Sequence, residues 1–304
     1  MKKKISNTVS ICVPAYNEEK NIGRILDALI NQITREIRIN KIIVVSSAST
    51  DKTDDIVLEF CRKDRRVQLI QQKKREGKAA AINAFLKVIS DEIVVIESAD
   101  TVPQPETIEH LCKPLLKDKS IGMTGGAPIP INDPNTFLGY IIHTWWWFHR
   151  NIPRFGEIIA YRNLIKALST TTAVDEAYIQ AKMIQLSLKA VHVDEAVVFN
   201  KGADHIKDLI KQRRRVFNGH ARLYKHENIK IDNMTKSTLY LLLFKFPIRN
   251  LKELIWICGG IGLEVYAYML GMYDMKISKK NPFIWDTATT TKNLKKGDAY
   301  DFIS

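Results

Sequence analysis

One aspartate, Asp100, follows a run of apolar residues that ends at Glu97, and Ser98 stands two positions before it. A carboxylate at the end of a buried strand is the kind of ligand that a hard cation such as Mg²⁺ prefers. Polar residues also follow three earlier apolar runs, at 14–19 (PAYNEE), 46–51 (SSASTD) and 72–78 (QKKREGK). Carboxylates, small hydroxyls and basic groups together are the partners that a nucleotide with a metal-bridged diphosphate requires. We therefore expect these stretches to form one binding site.

The first hundred residues alternate between strand and helix patterns. Strands are predicted at 8–13, 41–46, 66–71 and 92–97, with helices between them, the third over 77–89. Such alternation predicts right-handed βαβ units and a mostly parallel sheet. Ligands of these sheets bind beyond the carboxyl ends of the strands. Neither a GxGxxG nor a GxxxxGK[ST] motif is present, so the common dinucleotide and P-loop fingerprints are excluded.

The second half of the chain is less regular. The stretch 122–134 (GMTGGAPIPINDP) predicts a turn-rich loop, because glycine and proline are turn residues. Helices are predicted for the aromatic stretch 137–150, for the residues from Asp175 onward and for the basic stretch 203–225, with a strand over 190–200. A 20-residue apolar window spans 254–273 and contains one charge, Glu264.

The chain carries 46 Lys plus Arg against 33 Asp plus Glu, a net charge of +13. This balance favours anionic partners such as phosphorylated small molecules or an anionic membrane, although a lysine-rich solvated surface would also produce it. The four cysteines are far apart and form no CxxC pair. A structural zinc site and a disulfide framework are therefore not expected, and the pattern fits a reducing compartment.

Six motifs follow one another between residues 8 and 223: VPAYNEEKNI, VVSSASTDKT, REGKAAAIN, ESADT, VDEAYI and QRRRV. In order and spacing the chain resembles the family 2 inverting glycosyltransferases with the GT-A fold. The resemblance implies an α/β fold with a mostly parallel central sheet flanked by helices. It also implies a nucleotide-diphosphate sugar donor, a divalent cation (Mg²⁺ or Mn²⁺) and a displacement that inverts the anomeric centre. We expect a glycosyltransferase domain over 1–230 and a helical tail over 231–304.

The resemblance assigns the donor site residue by residue. The first loop, formed by Pro14, Ala15, Tyr16, Asn17 and Glu18, would flank the base and ribose. Ser46 and Ser47 stand where the family usually has two aspartates, of which the second commonly contacts the base. Asp51 matches a later aspartate that is as well suited to capping a helix, and Lys78 matches a basic residue near the donor phosphates. Arg215 belongs to the counterpart of QxxRW, with Val216 in place of Trp, and would reach the leaving diphosphate.

The metal and the base are assigned in the same way. The family has a DxD motif where this chain has Ser98, Ala99 and Asp100, so the first acid is missing and Asp100 is the expected metal ligand. A turn or helix-capping role is the alternative for Asp100. The acid pair Asp175 and Glu176 matches the family's base motif, with Glu176 at the base position and Asp175 second. The alternative is a structural role, in which both acids lie at the start of a helix and are stabilised by the positive end of its dipole.

The apolar window at 254–273 is long enough to span a bilayer. Basic residues flank it on both sides, which favours helices lying on one anionic membrane face, and we expect 137–150 and 238–246 to add to that surface. Core or dimer packing is the alternative. The predicted location is the cytoplasmic face of a membrane, peripheral or monotopic, with a lipid or lipid-linked glycan as acceptor and no nucleic-acid partner.

Two other functions remain open at this stage. The serines at 46, 47 and 98 replace three family aspartates, which would suit a catalytically impaired scaffold protein that keeps the fold. A nucleotidyltransferase with a related sheet is the third possibility, but no glycine-rich phosphate loop is present. Release of a nucleoside diphosphate rather than pyrophosphate would distinguish these functions.

Overall fold

The computed structural model describes residues 7–151, 155–227 and 245–278 of the chain. The strands are β1 (Thr8–Ala15), β2 (Arg38–Ser47), β3 (Val67–Gln72), β4 (Ile93–Glu97), β5 (Thr101–Pro103), β6 (Ile121–Pro130), β7 (Ile158–Arg162) and β8 (Lys189–Asn200). The helices are α1 (Ile22–Ile30), α2 (Thr53–Lys63), α3 (Lys78–Leu86), α4 (Thr107–Lys117), α5 (Phe137–Asn151), α6 (Asp175–Gln185), α7 (Ile206–Glu227) and α8 (Leu251–Lys276). The predicted boundary near residue 230 lies outside the described residues, so the division into two domains stays a prediction.

The described strands form one sheet in the order β3-β2-β1-β4-β7-β6-β8-β5. The pairs β1–β2, β2–β3, β1–β4 and β6–β8 are parallel. The pairs β4–β7, β6–β7 and β5–β8 are antiparallel. Because β7 runs against β4, its first residues lie at the same edge of the sheet as the last residues of β1, β2 and β4. We refer to this edge as the site edge.

Helices cover both faces of the sheet and bury it. On one face α1, α2 and α4 pack on alternate strand residues, and α1 does so through apolar positions at helical spacing, such as Ile25 and Leu29. On the other face α3 and α6 contribute Phe85 and Ile179, both fully buried. Strands buried on both faces read as continuous apolar runs, which is why the β1 to β4 half of the sheet is visible in the sequence. The predicted α/β architecture is confirmed.

The stretch predicted as a turn-rich loop at 122–134 is mainly a strand, β6, and the prediction was wrong. Its glycines permit close approach rather than turning: a Cβ on Gly125 would lie 2.0 Å from Cδ1 of Phe155, and one on Gly126 would lie 2.6 Å from the backbone oxygen of Ala196. The prolines are tolerated because β7 pairs with β6 only as far as Gly125. Pro128 and Pro130 therefore leave no ladder donor missing on that side.

Helix α8 packs on α5 and α7 through small residues. A Cβ on Gly260 would lie 2.4 Å from Cδ1 of Ile141 in α5, and one on Gly271 would lie 2.8 Å from the backbone oxygen of Arg214 in α7. The side of α8 that faces the other way is apolar and exposed, with Leu251 70% and Ile255 61% exposed. Among the described helices α8 alone has the length and composition to cross a membrane.

Candidate active site

A cavity of about 460 Å³ opens at the site edge. Residues that follow β1, β2 and β4 form one wall, the first turns of α3 and α6 form its floor, and α5 and α7 close the other sides. Most of the side chains predicted from the sequence line it: Pro14, Ala15, Tyr16, Glu18, Ser47, Lys78, Ser98, Ala99, Asp100, Asp175, Glu176 and Arg215. The fold thus brings together groups that are up to two hundred residues apart in the chain.

Lys78 lies between the two acids predicted as base candidates. Its Nζ is 2.5 Å from Oε1 of Glu176 and 3.1 Å from Oδ2 of Asp175. Helix α3 begins at Lys78, directly after Gly77, whose φ of 87° is a conformation that glycine adopts without a steric penalty. Helix α6 begins at Asp175, so side chains from the first turns of the two helices meet at the floor of the cavity. The position predicted to face the donor phosphates is therefore ion-paired with the acid pair.

The pKa values of the two acids beside Lys78 are shifted in opposite directions. Burial acts to raise the pKa of Glu176, but the charge of Lys78 and its hydrogen bond outweigh burial and lower that pKa. Burial and the neighbouring charge of Glu176 raise the pKa of Asp175 in spite of Lys78. Burial acts to lower the pKa of Lys78, yet the two carboxylates raise it. Glu176 is thus held ionised at neutral pH, which is the state that a proton acceptor needs.

Asp100 shares its corner of the cavity with a second carboxyl, Glu157, which the sequence analysis did not single out. Burial and the charge of Asp100 raise the pKa of Glu157 to about 7. Glu97, the last residue of β4, instead points into the core, where it is fully buried and accepts a hydrogen bond from the hydroxyl of Thr101. Burial, with the charges of Glu157 and Asp100, raises the pKa of Glu97 well above its ordinary value, which favours its protonated form.

The donor atoms at this corner suit a hard cation. Asp100 and Glu157 offer carboxylate oxygens, and Asn200 offers an amide oxygen. Within the described part of the chain no three His, Cys, Asp or Glu side chains converge on one metal position. Mg²⁺ and Mn²⁺ need few protein ligands where phosphate oxygens complete the coordination. The corner therefore fits a cation shared with a diphosphate and not a closed, all-protein metal site.

The nucleotide wall contains an aromatic ring and a guanidinium group. Arg75 lies over the ring of Tyr16, 3.9 Å from its centroid. Ser47, where the family usually has an aspartate, accepts a hydrogen bond from the backbone N–H of Glu76 at 3.3 Å. This bond joins the loop after β2 to the loop before α3, so Ser47 helps to shape the wall.

Two predicted donor residues do not line the cavity. Asn17 accepts a hydrogen bond from the backbone N–H of Thr50 at 2.8 Å through Oδ1. Asp51 accepts one from the backbone N–H of Thr53 at 3.0 Å and one from that of Glu19 at 3.1 Å. Both side chains join the loops after β1 and β2. For Asp51, the capping alternative describes the geometry better than the ligand assignment, because its carboxylate contacts the first residue of α2.

The basic run of α7 is divided between the cavity and α8. Arg215 lines the cavity and contributes to lowering the pKa of Glu176. Arg213 binds Glu264 with Nε 2.7 Å from Oε1, and Arg214 binds Asp274 with Nε 2.5 Å from Oδ2. Both arginines are therefore paired with acids of α8.

The aromatic stretch expected at a membrane is instead a wall of the cavity and a packing surface for α8. Trp145, Trp146 and His149 line the cavity. Trp147 packs on Phe246, with ring centroids 5.1 Å apart. Of the other aromatic stretch, 238–246, residues 238–244 lie outside the described part of the chain. Helical spacing alone did not indicate which face of α5 meets the cavity.

Glu157 and Asn200 are two site residues that no sequence motif indicated. In a parallel sheet, the residues that line a site are those that follow strands. Glu157 precedes its strand, and it reaches the site edge because β7 is antiparallel to β4. Asn200 ends β8, a strand that was predicted over 190–200, but no motif indicated its use. A polar residue at either end of an apolar run was the available signal.

Comparison with protein families gives a match between residues 10–170 and the model of glycosyl transferase family 2, more than half of the chain. Probable glycosyltransferase YdaM of Bacillus subtilis is 31% identical over 138 residues, which cover 44% of this chain and 33% of that protein. Dolichyl-phosphate beta-glucosyltransferase ALG5A of Trichomonas vaginalis is 32% identical over 127 residues, 39% of each chain. The chain thus matches only about a third to two fifths of the length of these relatives.

Solved structures share the fold. The mannosyltransferase PcManGT from Pyrobaculum calidifontis, determined with GDP-Man and Mn²⁺, superposes with a TM-score of 0.60 at 20% identity. The superposition covers 90% of this chain and 86% of that one. The prediction of the GT-A fold is confirmed by this likeness.

Proposed function

The chain belongs to glycosyl transferase family 2, and we propose that it transfers a sugar from a nucleotide-diphosphate donor to a hydroxyl acceptor, with inversion at the anomeric carbon. One observation carries the proposal: Asp100 and the acid pair Asp175–Glu176 line the same cavity. Lys78 and Arg215 line it as well, which gives an anionic donor two cations beside the acids. A scaffold protein without catalysis would have no need for an ionised, buried glutamate at this position.

The donor would enter along the nucleotide wall. Tyr16 and Arg75 form a flat, partly charged surface suited to a base, and Ser47 presents a hydroxyl beside it. Asp100 lies at the end of β4, where the diphosphate of a donor in this wall would come. Arg215 carries a permanent positive charge that would stabilise the departing diphosphate.

The acceptor hydroxyl attacks the anomeric carbon as the bond from that carbon to the diphosphate oxygen breaks. Glu176 takes the hydroxyl proton, and the nucleoside diphosphate leaves with the bonding electron pair. Lys78 lowers the pKa of Glu176, so the carboxylate is available well below neutral pH. The lowered pKa also makes Glu176 a weaker base. A donor diphosphate that binds Lys78 would draw the lysine away from Glu176 and so strengthen the base. Asp175 is the second candidate, because its pKa is raised and it is also bound to Lys78.

A divalent cation, Mg²⁺ or Mn²⁺, would be held by Asp100 together with donor phosphate oxygens. When bound, it would neutralise charge on the diphosphate and so improve the leaving group. Ser98 has no carboxylate to add. The protein's share of this binding therefore depends on Asp100 and on whichever side chains lie beside it.

A donor screen tests the transfer reaction. Purified protein is incubated with UDP-, GDP- and dTDP-type sugar donors and a lipid-linked glycan that carries a free hydroxyl, with Mn²⁺ or Mg²⁺, and the release of nucleoside diphosphate and of pyrophosphate is followed. We expect nucleoside diphosphate release that depends on metal and is lost in Asp100→Asn. Asp118→Asn is the matched control, because Asp118 ends α4 away from the cavity. Pyrophosphate release would indicate a nucleotidyltransferase. Donor binding without release under every condition would favour the scaffold function.

We also propose that the protein works on the anionic cytoplasmic face of a membrane, with a lipid or lipid-linked glycan as acceptor. The exposed side of α8 is apolar along its length, including Leu251, Val265 and Met269. Its acids point inward, and Glu264 and Asp274 pair with α7. Since α7 lies alongside α8, a spanning orientation would carry Arg213 and Arg214 into the hydrocarbon region. Helix α8 therefore suits an in-plane position.

Vesicle flotation tests the membrane proposal. The protein should float with phosphatidylglycerol vesicles and less with phosphatidylcholine vesicles, because basic residues flank α8. Val265→Lys with Met269→Lys places two charges on the exposed face and should reduce flotation on both vesicle types. Leu164→Lys, an exposed apolar residue away from α8, is the control. Equal flotation of all variants would contradict the assignment of this face.

A further inference from the structure

The DxD motif supplies two acids for the cation. In this chain Ser98 occupies the first position, so Asp100 is the only acid of the motif. Glu157 supplies a carboxylate at the same corner, on a strand that the motif does not include. Given the proposed function, the residues of this chain that hold the cation can be inferred from this corner.

Glu157 is fixed beside Ser98 by the backbone. Its carbonyl oxygen accepts the N–H of Ser98 at 2.9 Å. In the antiparallel ladder of β4 and β7, Glu97 pairs with Ile158, so the residue before β7 lies next to the residue after β4. The side chain of Glu157 is in turn held by Asn200, whose Nδ2 donates to Oε1 at 3.3 Å. Ser98, Asp100, Glu157 and Asn200 all line the cavity.

The backbone of Glu157 is unusual for a glutamate. Its φ is 63°, in the left-handed region that glycine adopts freely and a glutamate occupies at a cost. A residue kept in such a conformation is held there by its surroundings, and such residues cluster at functional sites. Glycine would satisfy this backbone without a charged side chain in a buried corner. The presence of a carboxylate is therefore what needs a functional reason.

Asn200 provides an independent sign of a missing ligand. Its side chain is buried, with 5% exposure, and its Oδ1 has no hydrogen-bond partner among the described residues. A buried amide oxygen without a donor costs free energy unless something binds it. Because Nδ2 is directed to Glu157, Oδ1 remains as an acceptor beside the two carboxylates. Two carboxylates and an amide oxygen are ligands that hard divalent cations take.

We propose that Glu157, oriented by Asn200, binds the divalent cation together with Asp100 and replaces the acid that Ser98 lacks. The cation is then held by one residue after β4 and one before β7, on two neighbouring antiparallel strands. The DxD pair of the family, by contrast, lies on a single loop.

Binding of Mn²⁺ alone tests the proposal without donor or turnover. Free Mn²⁺ is measured by electron paramagnetic resonance during titration of the parent, Glu157→Gln and Glu157→Gly. Glycine is suited to the φ of this residue and keeps the test valid if glutamine perturbs folding, which circular dichroism would reveal. Glu195→Gln, an exposed acid on β8, controls for the loss of one charge. We expect both Glu157 variants to weaken Mn²⁺ binding at least tenfold, since loss of even an outer-shell partner costs about 10–100-fold.

A second variant asks whether Glu157 takes the place of the missing acid. Ser98→Asp in the Glu157→Gln background should recover most of the lost Mn²⁺ affinity, because it restores a carboxylate at the same corner. Mn²⁺ affinities of Glu157→Gln and Glu157→Gly equal to those of the parent and Glu195→Gln would overturn the proposal. Binding that depends on Glu157 in a protein that transfers no sugar would support the ligand assignment and count against the proposed function alone.

Discussion

Replacing Lys78 by methionine should destabilise the protein in a pH-dependent way. The substitution keeps most of the length of the side chain but removes the ammonium group, which lies 2.5 Å from Glu176 and 3.1 Å from Asp175. The side chain of Lys78 is 32% exposed, whereas those of Glu176 and Asp175 are 17% and 7% exposed. Removing one partner of a fully buried pair costs about 3–5 kcal/mol, and exposed pairs contribute about 0–1 kcal/mol. We therefore expect a loss of about 2–3 kcal/mol at pH 8.

The sign of the pH dependence follows from the two pKa shifts. Lys78 lowers the folded-state pKa of Glu176 below its ordinary 4.5, so this stabilisation is present above pH 4.5 and is lost as pH falls through the folded-state pKa. The acids raise the pKa of Lys78 above its ordinary 10.5, so its share is present below that pH. In Lys78→Met the buried acids have no lysine partner and resist ionisation. The deficit should therefore already be present near pH 4.5 and should grow as pH rises to between 7 and 9.

Urea unfolding at pH 5 and pH 8 measures this difference. Lys87→Met is the matched control, because Lys87 is exposed at the other end of the same helix and should cost less than about 1 kcal/mol at either pH. The double variant Lys78→Met with Glu176→Gln should lose less than the sum of the single variants, since the two side chains are in contact. A deficit that is equal at both pH values, or no greater than that of Lys87→Met, would refute the assignment of Lys78 as the counterion.

Two further predictions concern the base and the sheet. Glu176→Gln should lower turnover by about 10²–10⁴ with donor affinity retained, and Asp175→Asn should lower it less; the reverse ranking in a steady-state assay with the acceptor would make Asp175 the base. Gly126→Ala should destabilise the fold by about 1–3 kcal/mol, because its Cβ would lie 2.6 Å from the backbone oxygen of Ala196. Gly262→Ala, with nothing within 4 Å of its Cβ, should be neutral or stabilising in the same thermal unfolding series, and equal effects would refute the close-approach argument.

The sequence predicts the β1 to β4 half of the fold well because local pattern and tertiary environment agree there. Strands such as β4 are buried on both faces and therefore uniformly apolar. The prediction fails at β6, where the glycines are required by close contacts with neighbouring segments and do not mark turns. The close contact of Gly125 with Phe155 is made across 30 residues of sequence, and no local pattern contains it.

The sequence predicts site residues that stand at the end of a strand, but it does not predict which distant residues contact each other in the site. Asp100 stands at a strand end in the sequence, and it lines the cavity. The contact of Lys78 with Glu176 joins residues 98 positions apart, so the sequence shows both groups without showing that they meet. Glu157 could not be predicted as a site residue without knowing the direction of β7, which depends on the order of strands in the sheet. An acid before a strand reaches the site edge only if that strand is antiparallel to its neighbour.

Helix α8 shows how a charge inside an apolar segment should be interpreted. Glu264 weakens the prediction of a membrane helix when residues are counted, yet Glu253, Glu264 and Asp274 are eleven and ten residues apart, close to three turns of helix. They therefore lie on one side. Glu253 accepts a hydrogen bond from the backbone N–H of Arg249 at 2.8 Å, and the other two acids pair with α7. The acids mark the side that packs on protein, so the apolar residues opposite them are the ones that remain available to a membrane.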